Sequence, residues 1–140
     1  MTIHLEPGEA GGRAMFARGI SGEVVMLNLL RFRAVADYAA SPELAPAAPI
    51  SGAEAYERYI AHTLPLLRNS GGDVMFLGEG GRWLIGPDRE CWDRAMLVRQ
   101  RSLAAFMAFA SDAAYLAGIG HRTAALADSR LLPLVETALP

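Results

Sequence analysis

Lysine is absent from this chain; all 13 basic residues are arginine. That excludes a phosphate-binding Gly-Lys-Ser/Thr loop, whose lysine reaches the phosphates. Together with the many alanines it points to a GC-rich bacterial genome. There is no excess of positive charge either: 13 basic residues face 15 acidic ones, for a net charge of −2. A nucleic-acid surface would show as a basic patch or a high pI, so no nucleic-acid partner is expected. Cys91 stands alone and can form no internal disulfide, which fits a reducing, cytoplasmic setting. The first ten residues carry Glu6, Pro7 and Glu9 and no apolar run, so no secretory leader is expected. The densest apolar stretch lies within 24–30 and is broken by Asn28. It is far shorter than the roughly 20 residues that cross a bilayer, and no membrane association is expected.

Several catalytic signatures are missing as well. There is no Gly-x-Ser-x-Gly elbow. Gly78, Gly80 and Gly81 lack the third glycine of a dinucleotide fingerprint, because Trp83 occupies its place. His4, His62 and His121 are far apart and show no metal-ligand spacing. No metal and no cofactor are therefore expected. Nothing in the sequence sets a base beside Cys91 to activate it as a nucleophile.

What is present is enough for one domain. A chain of 140 residues, 52% of them hydrophobic, buries roughly two thirds of its unfolded surface and needs no staples. Residues 1–22 read as an irregular lead-in, with one helical turn over 14–18, and 137–140 as a tail around a domain of 23–136. Residues 24–32 are apolar on both alternating sets, as in a strand buried on both faces. Residues 34–50, with Pro42, Pro46 and Pro49, read as a long loop. Ser51 and Glu54 form a capping box. Tyr56, Ile60, Leu64 and Leu67 follow at helical spacing, and Pro65 predicts a kink. Strands are expected over 74–77, 82–85 and 92–99, with turns at 79–81 and 87–90. Ser102 caps a second helical region, with Phe106, Met107 and Phe109 as core. A new start follows at Ser111 and Asp112, a break at Gly118 and Gly120, and a resumed helix over 121–127. The last strand is expected over 130–136, with Pro133 on a sheet edge, where no ladder N–H is missed.

The order β-α-β-β-α-β is the split βαβ pattern. The fold class is thus α+β: a ferredoxin-like sandwich, with an antiparallel four-stranded sheet and two helices on one face. Strands one and three occupy its centre. The other face is left bare, yet both alternating sets of the first strand are apolar, Val24, Met26 and Leu30 on one and Val25, Leu27 and Leu29 on the other. Monomers rarely tolerate an open apolar patch of that size. A two-fold homodimer with the bare faces together is expected; the alternative is that the lead-in and the long loop cover the face.

The segment Val25-Met26-Leu27-Asn28-Leu29-Leu30-Arg31-Phe32 resembles the first-strand motif of the domain-of-unknown-function 1330 family, in the dimeric α/β barrel superfamily. Ser51-Gly52, Tyr56, Tyr59, Pro65-Leu66-Leu67 and Gly71-Gly72 are similar to its first helix and helix stop. The run His121-Arg122-Thr123-Ala124-Ala125-Leu126-Ala127-Asp128-Ser129-Arg130-Leu131 is similar to its closing motif. The likeness spans about 22–136. It implies the fold and the dimer, and it implies no reaction. Superfamily relatives include cofactor-independent oxygenases, lactone isomerases and haem-degrading enzymes, which is an analogy of fold.

The candidate site residues follow from chemistry. His121, beside a glycine-flanked break, and His62 are the candidate proton movers. Asn28 interrupts a central strand; it orients a ligand or makes a structural bond. Arg31 points to the other face and binds a carboxylate, or pairs with Asp128 or across the dimer. Tyr59 shares a helix face with His62. Trp83 is a pocket wall or interface anchor, or plain packing. Arg99 reaches the same pocket or lies on the surface. Two functions remain open. One is a small-molecule enzyme, a cofactor-independent isomerase or oxygenase. The other is a non-catalytic dimer that binds a metabolite or a protein. A histidine and an arginine converging in a cavity favour the first; a packed interior with both histidines outside favours the second.

Overall fold

A computed structural model describes residues 2–140. Four strands make one antiparallel sheet: β1 (Val24–Phe32), β2 (Asp73–Arg82), β3 (Cys91–Gln100) and β4 (Leu126–Leu134), in the order β2-β3-β1-β4. The expected β1 and β3 are central, and the sheet is open rather than closed on itself. α1 (Glu9–Ala17) precedes β1, and α2 (Gly52–Asn69) crosses from β1 to β2. The second crossover is three short helices, α3 (Leu103–Ser111), α4 (Ala113–Leu116) and α5 (Ile119–Ala125). The α+β ferredoxin-like topology is therefore present. Among the described residues, no single helix is long and apolar enough to cross a membrane.

Both predicted caps are made. Ser51 Oγ accepts the Glu54 N–H at 3.1 Å, and Ser102 Oγ accepts the Ala105 N–H at 3.0 Å. α2 then buries Ala55, Tyr56, Tyr59, Thr63 and Leu67, one stripe at helical spacing. That stripe lies on Val24, Met26 and Leu30 of β1 and on Met96 and Val98 of β3, the even-numbered set of each strand. The odd-numbered set faces away. The register aligns Val25 with Leu134, and Leu27 with Leu97 and Leu132. Leu29 stands opposite Ala95, and Phe76 opposite Leu97. Phe76 is 56% exposed and Leu132 52%. α1 buries no residue of its own, and the lead-in is tied to β4, where the His4 N–H bonds Asp128 and Arg18 donates to the Pro133 carbonyl. The long loop is fastened to α5. There the Asp37 N–H bonds the Ala124 carbonyl at 2.9 Å, and a methyl on Gly120 would strike Ser41 and Leu44.

Five expectations need correction. Residues 9–17 form a helix, supported by a 2.7 Å Arg13–Glu9 pair one turn apart, where an irregular lead-in with a turn over 14–18 was expected. β2 runs unbroken through Glu79-Gly80-Gly81, and 83–90 forms the hairpin turn in place of a strand over 82–85. Pairing with a ten-residue β3 overrides local turn preference, and Gly80 fits because a side chain there would meet the Trp92 carbonyl. β4 starts at Leu126, not 130, because β1 offers a partner as far as Phe32. α5 starts at Ile119 and contains Gly120, so only Gly118 breaks the helix. Met107 is exposed rather than core, while Phe106 and Phe109 pack on the core. Pro133 lies on the edge strand β4, as expected, opposite Met26.

Candidate functional site

The helix-facing interior is packed by aromatic rings. Phe32 and Tyr56, Tyr56 and Tyr59, and Phe109 and Tyr115 stand with centroids 5.5, 5.2 and 4.6 Å apart. The hydroxyls of Tyr59 and Tyr115 share a hydrogen bond of 2.8 Å. Burial pushes the Tyr56 hydroxyl up to about 12, and burial, with Tyr115 and Tyr56 adding to it, holds Tyr59 well above its ordinary value. These phenols stay protonated near neutrality, and Tyr59 is a core strut. Asn28 lies on the helix-facing set of β1, half-buried, and its Nδ2–H bonds the Met26 carbonyl two residues back at 3.2 Å.

Both predicted proton movers sit on the helical layer. His62 is exposed; its Nε2–H donates to the Ala114 carbonyl at 2.7 Å, and its ring fills the space a Gly118 side chain would need. The His121 imidazole is half-buried, with Nδ1 2.7 Å from the Tyr38 hydroxyl. Burial, then the electrostatic influence of Arg58 and of His62, holds the His121 pKa below its ordinary value. The ring is thus neutral at pH 7, and the Tyr38 O–H donates to Nδ1. Each histidine ties one element to another.

Arg31 stands on the opposite face to Asn28, 3.8 Å from Asp128. Asp128 is fully buried and accepts from the His4 N–H (2.8 Å), the Ser129 N–H (2.8 Å) and Arg130 (2.7 Å). Burial alone would raise its pKa; these hydrogen bonds outweigh burial and hold the carboxyl below the usual range. Arg99, at the far end of the bare face, lies 3.8 Å from Glu23 and opposite Asp73.

Two grooves open beside the end of β1. The first, about 420 Å³, lies between the start of α2 and the β2–β3 hairpin, lined among others by Phe32, Arg33, Ser51, Glu79, Asp93 and Arg94. Arg94 lies over the Phe32 ring at 5.0 Å, and Asp93 accepts the Phe32 N–H at 2.8 Å. Arg33 Nε is buried and, among the described residues, finds no partner. The second, about 150 Å³, is lined by Leu29, Ala95, Trp83, Trp92, Arg82 and Arg94 with adjoining glycines. Arg94 and Gly80 border both grooves, the first on the helix side of the sheet and the second on its bare side; the pair is called the trough. Of the predicted site residues, Trp83 alone lines it. Arg33 and Arg94 were missed. The signal for Arg94 was a charge two residues from Trp92 on one side and Met96 on the other, inside an otherwise buried register set. Among the described residues, no group of three His, Cys, Asp or Glu side chains is placed to hold a metal.

Fold and trough define a ferredoxin-like α+β protein with a polar-rimmed groove at one end of its sheet. No family model and no curated protein matches the chain. Among solved structures it is similar to the RPA0582 protein, of unknown function, from Rhodopseudomonas palustris. Identity is 34% over 99% of this chain and 100% of that one, with a TM-score of 0.83. The methylated form of the same protein gives a TM-score of 0.84 at 34% identity, over 99% of this chain and 98% of that one. The chain belongs to the family of that protein. A Dabb family protein with a ferredoxin-like fold from Mesorhizobium loti is more distant, at 11% identity and a TM-score of 0.48, over 84% of this chain and 100% of that one.

Proposed function

We propose that this protein is a homodimer that binds a small organic molecule in the trough at the end of β1. The bare sheet face carries the reading. Strands lie about 4.8 Å apart and rise about 3.3 Å per residue, so four strands of this length present roughly 600 Å². Two such faces closed together bury roughly 1,200 Å², the lower end of stable specific interfaces. Val25, Leu27, Leu29, Leu97 and Leu132 make that face apolar, α1 buries no residue of its own, and the long loop is tied to α5.

Binding is favoured over histidine-driven isomerisation or oxygenation because neither His62 nor His121 lines the trough, while Arg33 and Arg94 do. The first groove alone is within the roughly 300–1,000 Å³ of small-molecule sites. The motif likeness to the domain-of-unknown-function 1330 family, and a bacterial, cytoplasmic setting, belong to the same proposal. Sedimentation velocity at micromolar concentration tests it: a dimer is expected, and a stable lone subunit overturns it. Calorimetric titration with small carboxylic acids then tests the trough. Arg94→Ala is expected to weaken any ligand found, and an unchanged affinity removes the trough from the proposal.

A further inference from the structure

The chain holds two tryptophans, and both line the second groove. Trp83 opens the hairpin turn, where its Nε1–H bonds Glu90 at 2.9 Å. Trp92, only 4% exposed, lies beneath the Arg130 guanidinium at 4.9 Å. Its own Nε1–H is buried and, among the described residues, has no acceptor. The groove floor, Leu29 and Ala95, belongs to the bare sheet face. One wall is therefore missing from a single chain, and a second copy closed over that face supplies it. The lining residues include two cations, Arg82 and Arg94, and no carboxylate. Arg82 uses one N–H on the Asp88 carbonyl, which stiffens the hairpin. At about 150 Å³ the space matches one that, lined by apolar side chains, takes up a benzene ring.

We propose that the second groove, roofed by the partner copy, binds a small aromatic carboxylate. The ring lies against the tryptophans, Leu29 and Ala95, and the carboxylate is held by the rim arginines. Indole faces favour flat rings over saturated ones of equal size, and guanidinium pairs with carboxylate in two parallel hydrogen bonds. The inference rests on the dimer proposed above.

The probes are benzoate, cyclohexanecarboxylate and acetate, titrated into the full chain by calorimetry with tryptophan emission recorded alongside. Sedimentation of the same samples separates the two claims. The expected result is a dimer in which benzoate binds saturably and changes tryptophan emission, with cyclohexanecarboxylate at least about tenfold weaker and acetate without effect. Trp83→Leu and Arg82→Gln are each expected to weaken benzoate at least about tenfold while the dimer persists. A lone subunit overturns the underlying reading. A dimer that ignores benzoate, or binds it equally well in both variants, overturns the aromatic-carboxylate site and leaves the dimer standing.

Discussion

Gly52 sits where three segments meet, and adding one methyl group there should be costly. Its N–H donates to the Arg33 carbonyl at 3.0 Å, and the Arg33 N–H donates to the Ala125 carbonyl at 2.8 Å. A Cβ on Gly52 would contact the Arg33 carbonyl, the Ala125 oxygen at 2.6 Å and the Arg33 nitrogen at 2.7 Å, all of them backbone atoms. No side chain can swing aside, so β1's end and α5 must part from α2. Overpacking of this kind costs about 3 kcal/mol at the upper end. The two hydrogen bonds at risk contribute about 1 kcal/mol each, giving a loss of about 3–5 kcal/mol for Gly52→Ala. For 140 residues the unfolding entropy is about 0.3 kcal/mol/K, so the melting temperature should fall by about 10–17 °C. Gly81→Ala is the matched control, since nothing lies within 4 Å of a Cβ there, and it should move Tm by less than about 2 °C. Calorimetric melting of the three proteins decides the matter. If the Gly52 and Gly81 variants melt together, the junction is not the close three-way contact described. Because Arg33, Ala34, Ser51 and Ala53 line the first groove, the Gly52 variant should also lose ligand binding before it melts.

Leu27→Asp places a charge at the middle of the bare face, between Leu97 and Leu132. Each buried, unpaired carboxylate costs several kcal/mol, so dimer dissociation should strengthen at least about a hundredfold by sedimentation. An equally tight dimer would show that another surface mediates assembly. Asp128 has its pKa depressed in the folded chain. Its contribution is present above the unfolded value of 3.8 and fades as pH falls through the lower folded value. Asp128→Asn should cost about 2–3 kcal/mol at pH 7, discounted for half-exposed arginine partners, and flatten the acid limb of the Tm–pH curve; a limb of unchanged steepness refutes this. His121 also has a depressed pKa, so stability should drop as pH falls from 6.5 through the folded value. His121→Gln should remove that dependence, and a proton NMR titration midpoint at or above 6.5 would contradict the burial argument.

Much of the architecture was readable because a few residues carry unambiguous local instructions. Ser51 with Glu54, and Ser102, mark helix starts that the backbone follows. The doubly apolar run of β1 announces a central strand, and Pro133 assigns β4 to an edge. Errors arose where pairing overrides local preference. Gly80 and Gly81 suggest a turn, yet β3 pulls them into β2. Leu126 continues a helical pattern, yet Phe32 needs a partner. The site was much less legible. Asn28 and Arg31 were correctly divided between the two faces, since strand alternation alone decides that. His62 and His121 attracted notice through their chemistry, and only folding reveals that each ties down another element. The trough gathers Arg33, Ser51, Trp83 and Arg94 from the end of β1, the start of α2 and the β2–β3 hairpin. No spacing rule connects them.

Residues 34–50 would be a natural place for a protease to cut, if length and proline content were the guide. The Tyr38–His121 bond, the Asp37 amide on Ala124 and the seating of Ser41 and Leu44 against Gly120 change that outcome. The segment can detach only when α5 does, so the two open as one cooperative unit. Amide exchange should therefore report nearly equal opening energies for Asp37 and for the α5 backbone. The first cleavage should fall instead in the β2–β3 hairpin turn, where Leu84 is 99% exposed and Ile85 90%.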